Sequence, residues 1–129
     1  MTRLAEPLMK NGGVAFTMTY YGSNMVVEHY NMMGPVKAAL ESATRYMAAE
    51  LGPKRIRVHA ISPGPLKTRA ASGISDFDAL LNKAESKAPA RSLVSIEDVG
   101  VAVAFLAADA AKLITGDTLY IDGGYHIID

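Results

Sequence analysis

Three short strand-type runs, each bounded by residues that break regular structure, constrain this chain more than any other feature. VAFTMTY (14–20) lies between Gly12-Gly13 and Gly22, IRVHAIS (56–62) runs into Pro63-Gly64-Pro65, and TLYID (118–122) is closed by Gly123-Gly124. Helical patterns separate them. From Val36 the apolar positions Val36, Ala39, Leu40, Ala43, Met47 and Leu51 fall on one stripe. Gly52, free to take a positive φ, and Pro53, unable to continue a helix, supply the stop. Ser75 and Asp78 have capping-box spacing ahead of a helix with Phe77, Leu80, Leu81 and Ala84 on one face, ended by Ala88-Pro89. Ser95 and Asp98 repeat that start signal for a helix with Val99, Ala102, Val103 and Leu106 inward. Residues 2–10 resemble the end of an amphipathic helix that stops at Asn11-Gly12-Gly13. Strand, helix, strand, helices, strand is the order of an α/β protein whose parallel sheet is joined by crossover helices.

Composition removes several classes of function. Thirteen basic and thirteen acidic residues cancel without clustering, which argues against a nucleic-acid surface or a polybasic membrane patch. The absence of cysteine excludes disulfides, thiol catalysis and cysteine-ligated metal. His29, His59 and His126 have no metal-ligand spacing, so no metal is expected. No apolar run reaches membrane-spanning length and the N-terminus is not a signal peptide, so the expectation is a cytoplasmic protein that does not enter a membrane.

In parallel α/β sheets, ligands gather beyond the C-terminal strand ends. Tyr20 lies past the first strand, Pro63 to Thr68 past the second, and Tyr30 and Lys37 in the connection between them. Were residues 30–37 helical, Tyr30 and Lys37 would be separated by roughly 10.5 Å of rise and about 20° of rotation, nearly on one face. A phenol has an unperturbed pKa of about 10. A neighbouring ammonium favours the phenolate and makes the phenol a better acid. The bland alternative is that Tyr30 packs at a helix start and Lys37 is solvated. Met25, Met32 and Met33 read as pocket or core packing, Asp122-Gly123-Gly124 as a strand-ending turn, and Glu28-His29 as adjacent residues that do not converge.

The strings GPKRIRVHAISPGPLKTRAASGI and ITGDTLYIDGGY resemble the short-chain dehydrogenase/reductase superfamily, and within it bacterial NADH-dependent enoyl-acyl-carrier-protein reductase. Ordinary members carry Tyr-x3-Lys, but Met33 occupies the position four before Lys37. Tyr30-x6-Lys37 with Tyr20 ten residues earlier is the enoyl reductase variant. The resemblance covers essentially all 129 residues. It implies reduction of a trans-2-enoyl thioester on acyl carrier protein in fatty acid biosynthesis, with NADH as the hydride source. Tyr30 would bond the thioester oxygen, Lys37 would hold the nicotinamide ribose, and Tyr20 and Met33 would line the acyl pocket, with Tyr20 assisting catalysis. Pro65, Leu66, Lys67, Thr68, Arg69 and Ala70 would touch the nicotinamide end of the cofactor. The loop and helix of residues 64–90 would cover the acyl chain. The family form is a homotetramer.

Two features depart from the pattern. Pro35 falls between Tyr30 and Lys37 and is tolerable only if the regular helix begins near residue 34. The glycine-rich turn that grips a cofactor's pyrophosphate is also missing: Gly12-Gly13 precedes a strand, and Gly123-Gly124 follows one. Residues 1–129 therefore read as one partial domain, the C-terminal half of a Rossmann-like doubly wound sheet without its N-terminal nucleotide-binding half. The first strand would then carry an unpaired edge. Two alternatives stand beside the reductase: a non-catalytic remnant acting as a subunit-interaction module, and a general superfamily reductase of a ketone or alcohol, against which Met33 argues.

Overall fold

The computed structural model describes residues 2–66 and 77–128. Three strands, β1 (Gly13–Met18), β2 (Ile56–Pro63) and β3 (Thr118–Ile121), form a sheet of order β1-β2-β3 with both pairings parallel. Gly13 pairs with Ile56 and Ala60 with Thr118. A four-residue helix α1 (Thr2–Ala5) precedes β1, α2 (Met33–Leu51) connects β1 to β2, and α3 (Phe77–Lys87) and α4 (Ile96–Ala107) lie between β2 and β3. Among the described residues β1 and β3 each keep one edge that no strand pairs. The expected helix over 2–10 is thus one turn plus a 3-10 turn at Glu6–Leu8, where Pro7 cannot donate a helical hydrogen bond. The capping position Ser75 lies outside the described residues.

The central strand β2 is buried on both faces, which overrides the alternation seen in its sequence. Ile56 and Val58 pack with Ala48 and Leu51 of α2. Ile61 faces the other way, into a cluster with Leu106, Val99 and Val103 of α4 and with Phe16 and Ile121. Arg57 and His59, the polar residues that alternate with Ile56, Val58 and Ala60, belong to this second face. The Arg57 guanidinium reaches the C-terminal end of α4, donating to the carbonyls of Leu106, Ala107, Ala108 and Ala111. A cation there satisfies acceptors that the helix leaves open and complements its dipole. His59 is 1% exposed and stacks on Phe16 at 5.6 Å.

Burial, with the Arg57 charge adding to it, lowers the pKa of His59 below its ordinary 6.5. Below pH 6.5 the unfolded chain therefore takes up a proton that the folded chain refuses, so stability rises with pH through that window and falls on acidification. We expect the urea midpoint to drop between pH 7.5 and pH 5.5, and the drop to shrink in His59→Gln. An equal drop in both proteins would remove His59 as its cause.

The apolar stripe of α2 turns inward only at its C-terminal end, where Leu51 is buried and Met47 packs against the same cluster. The helix's buried residues are Glu41, Thr44, Ala48 and Leu51, whereas Val36 is 51% exposed and Ala39 and Ala43 are exposed too. The polar members of the buried face are satisfied. Thr19 donates its hydroxyl to the Glu41 carboxylate at 2.6 Å, and Thr44 bonds back to the Leu40 carbonyl at 3.0 Å. A hydrogen-bonded polar group can be buried at low cost, so hydrophobicity alone misplaced the N-terminal part of the stripe. Gly52 keeps a helical φ of −54°, and the chain reverses instead at Arg55, in the left-handed region with φ 60°.

Helix α4 starts as its sequence foretells. The Ser95 hydroxyl accepts from the Asp98 N–H at 3.1 Å while the Asp98 carboxylate accepts from the Ser95 N–H at 2.8 Å. The Ser95 hydroxyl also donates to the Asp98 carboxylate at 2.7 Å, and that bond first, then the one from the Ser95 N–H, holds the Asp98 carboxyl below its usual pKa.

Candidate functional site

The site grows out of the C-terminal end of β1. The strand was expected to run to residue 20, but regular pairing ends at Met18. Thr19 still donates its N–H to the Ile61 carbonyl at 2.8 Å. Tyr20 follows in extended conformation, and a 3-10 turn at Tyr21–Ser23 swings the chain off the sheet. Tyr21 and Gly22 are buried.

Tyr30 is set between two residues with left-handed backbone, His29 (φ 61°) and Asn31 (φ 48°). It therefore stands before the helix, not on it, and the helical spacing expected between Tyr30 and Lys37 does not apply. The Met33 N–H donates to the Tyr30 carbonyl at 3.0 Å, which fastens the phenol's backbone to the start of α2. Pro35 sits in the first turn of α2, where its missing N–H costs nothing.

Tyr20 and Tyr30 meet edge to face, ring centroids 5.3 Å apart at 64°. Lys37, one turn into α2, donates its ammonium to the Met18 carbonyl at 3.0 Å. Two tyrosines and a lysine are thus gathered beyond the end of one strand. The room for Tyr30 comes from Gly22: a Cβ built there would lie 2.8 Å from Tyr30 Cδ1 and 2.9 Å from Cε1. Burial raises the Tyr30 pKa above 10, the reverse of the acidification expected from Lys37. The ammonium is engaged with a backbone carbonyl, and desolvation of the phenolate dominates. Tyr30 is accordingly a neutral O–H donor at neutral pH.

The other candidates fall unevenly. Pro65 is buried and Leu66 half-buried beyond the end of β2. Lys67, Thr68, Arg69 and Ala70 lie outside the described residues. Met33 begins α2 with 44% exposure, and Met25 and Met32 are exposed as well, so none of the three is core.

Sequence reading missed the contacts that brace this site. Asn24 donates its amide to the phenolic oxygen of Tyr120 at 2.7 Å across 96 positions of sequence. The Asp122 carboxylate accepts the N–H groups of Gly124 (2.9 Å) and His126 (3.0 Å) and faces His126 Nδ1 at 2.8 Å. Asp followed by Gly-Gly signals such a turn, but no local pattern announces the partner of Asn24.

This arrangement on a parallel sheet is of the short-chain dehydrogenase/reductase class, and comparison with known proteins narrows it. A family model described as enoyl-(acyl carrier protein) reductase matches residues 1–126, and the chain belongs to that family. It is 48% identical over 124 residues to enoyl-[acyl-carrier-protein] reductase [NADH] 1 of Rhizobium meliloti, covering 96% of this chain and 46% of that protein. It is 44% identical over 127 residues to the Bacillus subtilis enoyl-[acyl-carrier-protein] reductase [NADH] FabI, covering 98% of this chain and 49% of that one. The Bacillus cereus enoyl-acyl carrier protein reductase, solved with NADP+ and indole naphthyridinone, superposes with a TM-score of 0.96 at 43% identity, over 99% of this chain and 50% of its own. The Anaplasma phagocytophilum reductase, solved in complex with NAD, gives a TM-score of 0.90 at 43% identity, over 99% of this chain and 46% of its own. The chain spans about half the length of the relatives it matches.

Proposed function

We propose that this chain carries the reacting half of an enoyl-acyl-carrier-protein reductase, in which a trans-2-enoyl thioester is reduced at its carbon–carbon double bond with NADH, the activity being expressed by a full-length chain. The observation that carries the reading is the edge contact of Tyr20 with Tyr30 beyond β1, with Lys37 anchored on the Met18 carbonyl at the end of the same strand. NADH supplies a hydride to the β-carbon when bound. Negative charge then develops on the thioester oxygen, and the protein's task is to hold it.

Tyr30 suits that task because burial keeps its proton in place. A preorganised donor aimed at a developing oxyanion stabilises the transition state more than the ground state. Lys37 fits the cofactor's ribose: of its three N–H donors one is spent on Met18, which fixes the ammonium at the end of β1 and leaves two for hydroxyls. Tyr20 presents its ring to Tyr30 and lines the acyl side, where exposed Met33 offers further apolar surface. Pro65 and Leu66 lead from β2 into the segment Lys67, Thr68, Arg69 and Ala70, which we assign to the nicotinamide end. Residues 64–90, including α3, are assigned to covering the acyl chain.

A homotetramer belongs to the same reading. Its support is the apolar outer face of α2, where Val36, Ala39, Ala43 and Tyr46 are exposed. No helix among the described residues is long and apolar enough to cross a membrane, and a cytoplasmic setting is proposed because the reaction couples a carrier-protein thioester to NADH.

The test is NADH oxidation with a short trans-2-enoyl thioester, first with this chain and then with the N-terminal half of a relative added. Thioester-dependent turnover in either arm is the expected result. No turnover from folded chain in both arms would favour a non-catalytic interaction module.

A further inference from the structure

The segment where β3 ends sits against the loop that carries the two tyrosines, through two separate sets of contacts. The first is polar. Asn24 donates to the Tyr120 phenolic oxygen at 2.7 Å. The Tyr120 ring lies flat on the His126 imidazole, centroids 3.8 Å apart at 11°. His126 is in turn fixed at backbone and ring by the buried Asp122 carboxylate. The second set is apolar: Tyr125, 1% exposed, meets Tyr21 edge-on at 5.3 Å, and Tyr21 meets Tyr20 at 4.7 Å. Tyr20 then meets Tyr30. An unbroken run of rings leads from the end of β3 to the proposed reactive phenol.

This matters because the loop is otherwise held by its own short-range turns, such as Tyr30 N–H to the Val27 carbonyl, and by Val27 packed against the Tyr21–Tyr125 cluster. Residues 24–32 contain no helix or strand, and Met25, Val26, Met32 and their polar neighbours are exposed. The Asp122 turn, by contrast, is braced from several directions. Gly64 donates to the Ile121 carbonyl at 2.9 Å, Ala90 donates to the Gly123 carbonyl at 3.0 Å, and Gly124 takes the left-handed φ of 85° that the turn requires. A turn with several hydrogen bonds thus abuts an irregular, largely exposed loop.

We propose that Tyr120 and His126 are positioning residues: anchored by Asp122, they hold the Tyr20–Tyr30 loop through Asn24, so that the Tyr30 hydroxyl is presented in the geometry reduction requires. The proposal rests on the reading of Tyr30 as the phenol that bonds the thioester oxygen. His126 also acts on the loop indirectly, by packing flat on the Tyr120 ring and so holding that side chain, and with it the phenolic oxygen, in place.

The experiment reads loop order and turnover separately. The N–H groups of Ser23, Asn24, Met25, Tyr30 and Met33 are hydrogen-bonded within the loop and its flanks, so their hydrogen exchange reports its order. In Tyr120→Phe, His126→Ala and Asn24→Leu we expect exchange in this segment to quicken about tenfold, the weight of one ordinary hydrogen bond, while exchange in β2 stays unchanged. In an active preparation, kcat should fall about tenfold with KM for NADH unmoved, since misplacement touches the reacting geometry and not cofactor binding. Asn24→Asp should recover both, because the Tyr120 hydroxyl can then donate to the carboxylate. The proposal is overturned by loop exchange that does not change, by an equal rise in β2, or by full kcat in a loosened loop. A fully active Tyr30→Phe would instead defeat the catalytic reading, leaving the exchange data to judge the loop contact by itself.

Discussion

Replacing Tyr30 by phenylalanine should lower kcat for enoyl-thioester reduction by about 10²–10³-fold, the usual loss when one donor to a developing oxyanion is removed. The change deletes a single oxygen and keeps the ring, so the edge contact with Tyr20 survives. Lys37 remains bonded to Met18, and KM for NADH should therefore stay within about twofold. Tyr20→Phe should cost far less, because we propose for Tyr20 a ring that lines the pocket and a hydroxyl that only assists. Steady-state kinetics of the two variants checks both statements. Equal activity of Tyr30→Phe and the unmutated protein would remove Tyr30 from the mechanism. A large loss confined to Tyr20→Phe would exchange their roles.

Gly22→Ala should be nearly as damaging to activity while sparing the fold. The new methyl would meet the Tyr30 ring at 2.8–2.9 Å and the Val27 side chain at 3.4 Å, so one of them must move. The Tyr30 ring is the far end of a side chain on a loop, and displacing it is cheaper than moving the sheet. A shift of about 1 Å in a reacting group costs on the order of 10²-fold in rate. We expect kcat to fall by about that factor, with the urea midpoint close to that of the unmutated protein. An unfolded variant, or one with full activity, would show that Gly22 does not set the position of Tyr30.

How far these features could be read from sequence depends on how local their causes are. The three strands and their parallel order were legible because β-branched runs, breakers and crossover lengths are nearest-neighbour information. The start of α4 was equally legible, since Ser95 and Asp98 satisfy each other within a single turn. The inward face of α2 was not, because burying Glu41 depends on Thr19 from a different element. The burial of His59 was not legible for a related reason: only a sheet covered on both faces buries both alternating sets of a strand.

The site divides along the same line. Tyr20, Tyr30 and Lys37 were singled out by residue type and by their place beyond a strand end, and the structure gathers them there. Their geometry was not foreseen. The left-handed residues His29 and Asn31 put Tyr30 ahead of α2, and burial, not Lys37, sets the direction of its pKa. The braces Asn24–Tyr120 and Tyr21–Tyr125 join residues about a hundred positions apart, and nothing in either local sequence points to the other.

The most direct test of the central claim is to follow the hydride itself. A short trans-2-enoyl thioester should be incubated with the active enzyme and NADH deuterated at the transferred position, and the product analysed by mass spectrometry and NMR. The account predicts a saturated thioester with one deuterium on the β-carbon, formed at least about a hundredfold more slowly by Tyr30→Phe. Deuterium on a carbinol carbon, with the double bond intact, would contradict it and identify a carbonyl reductase instead.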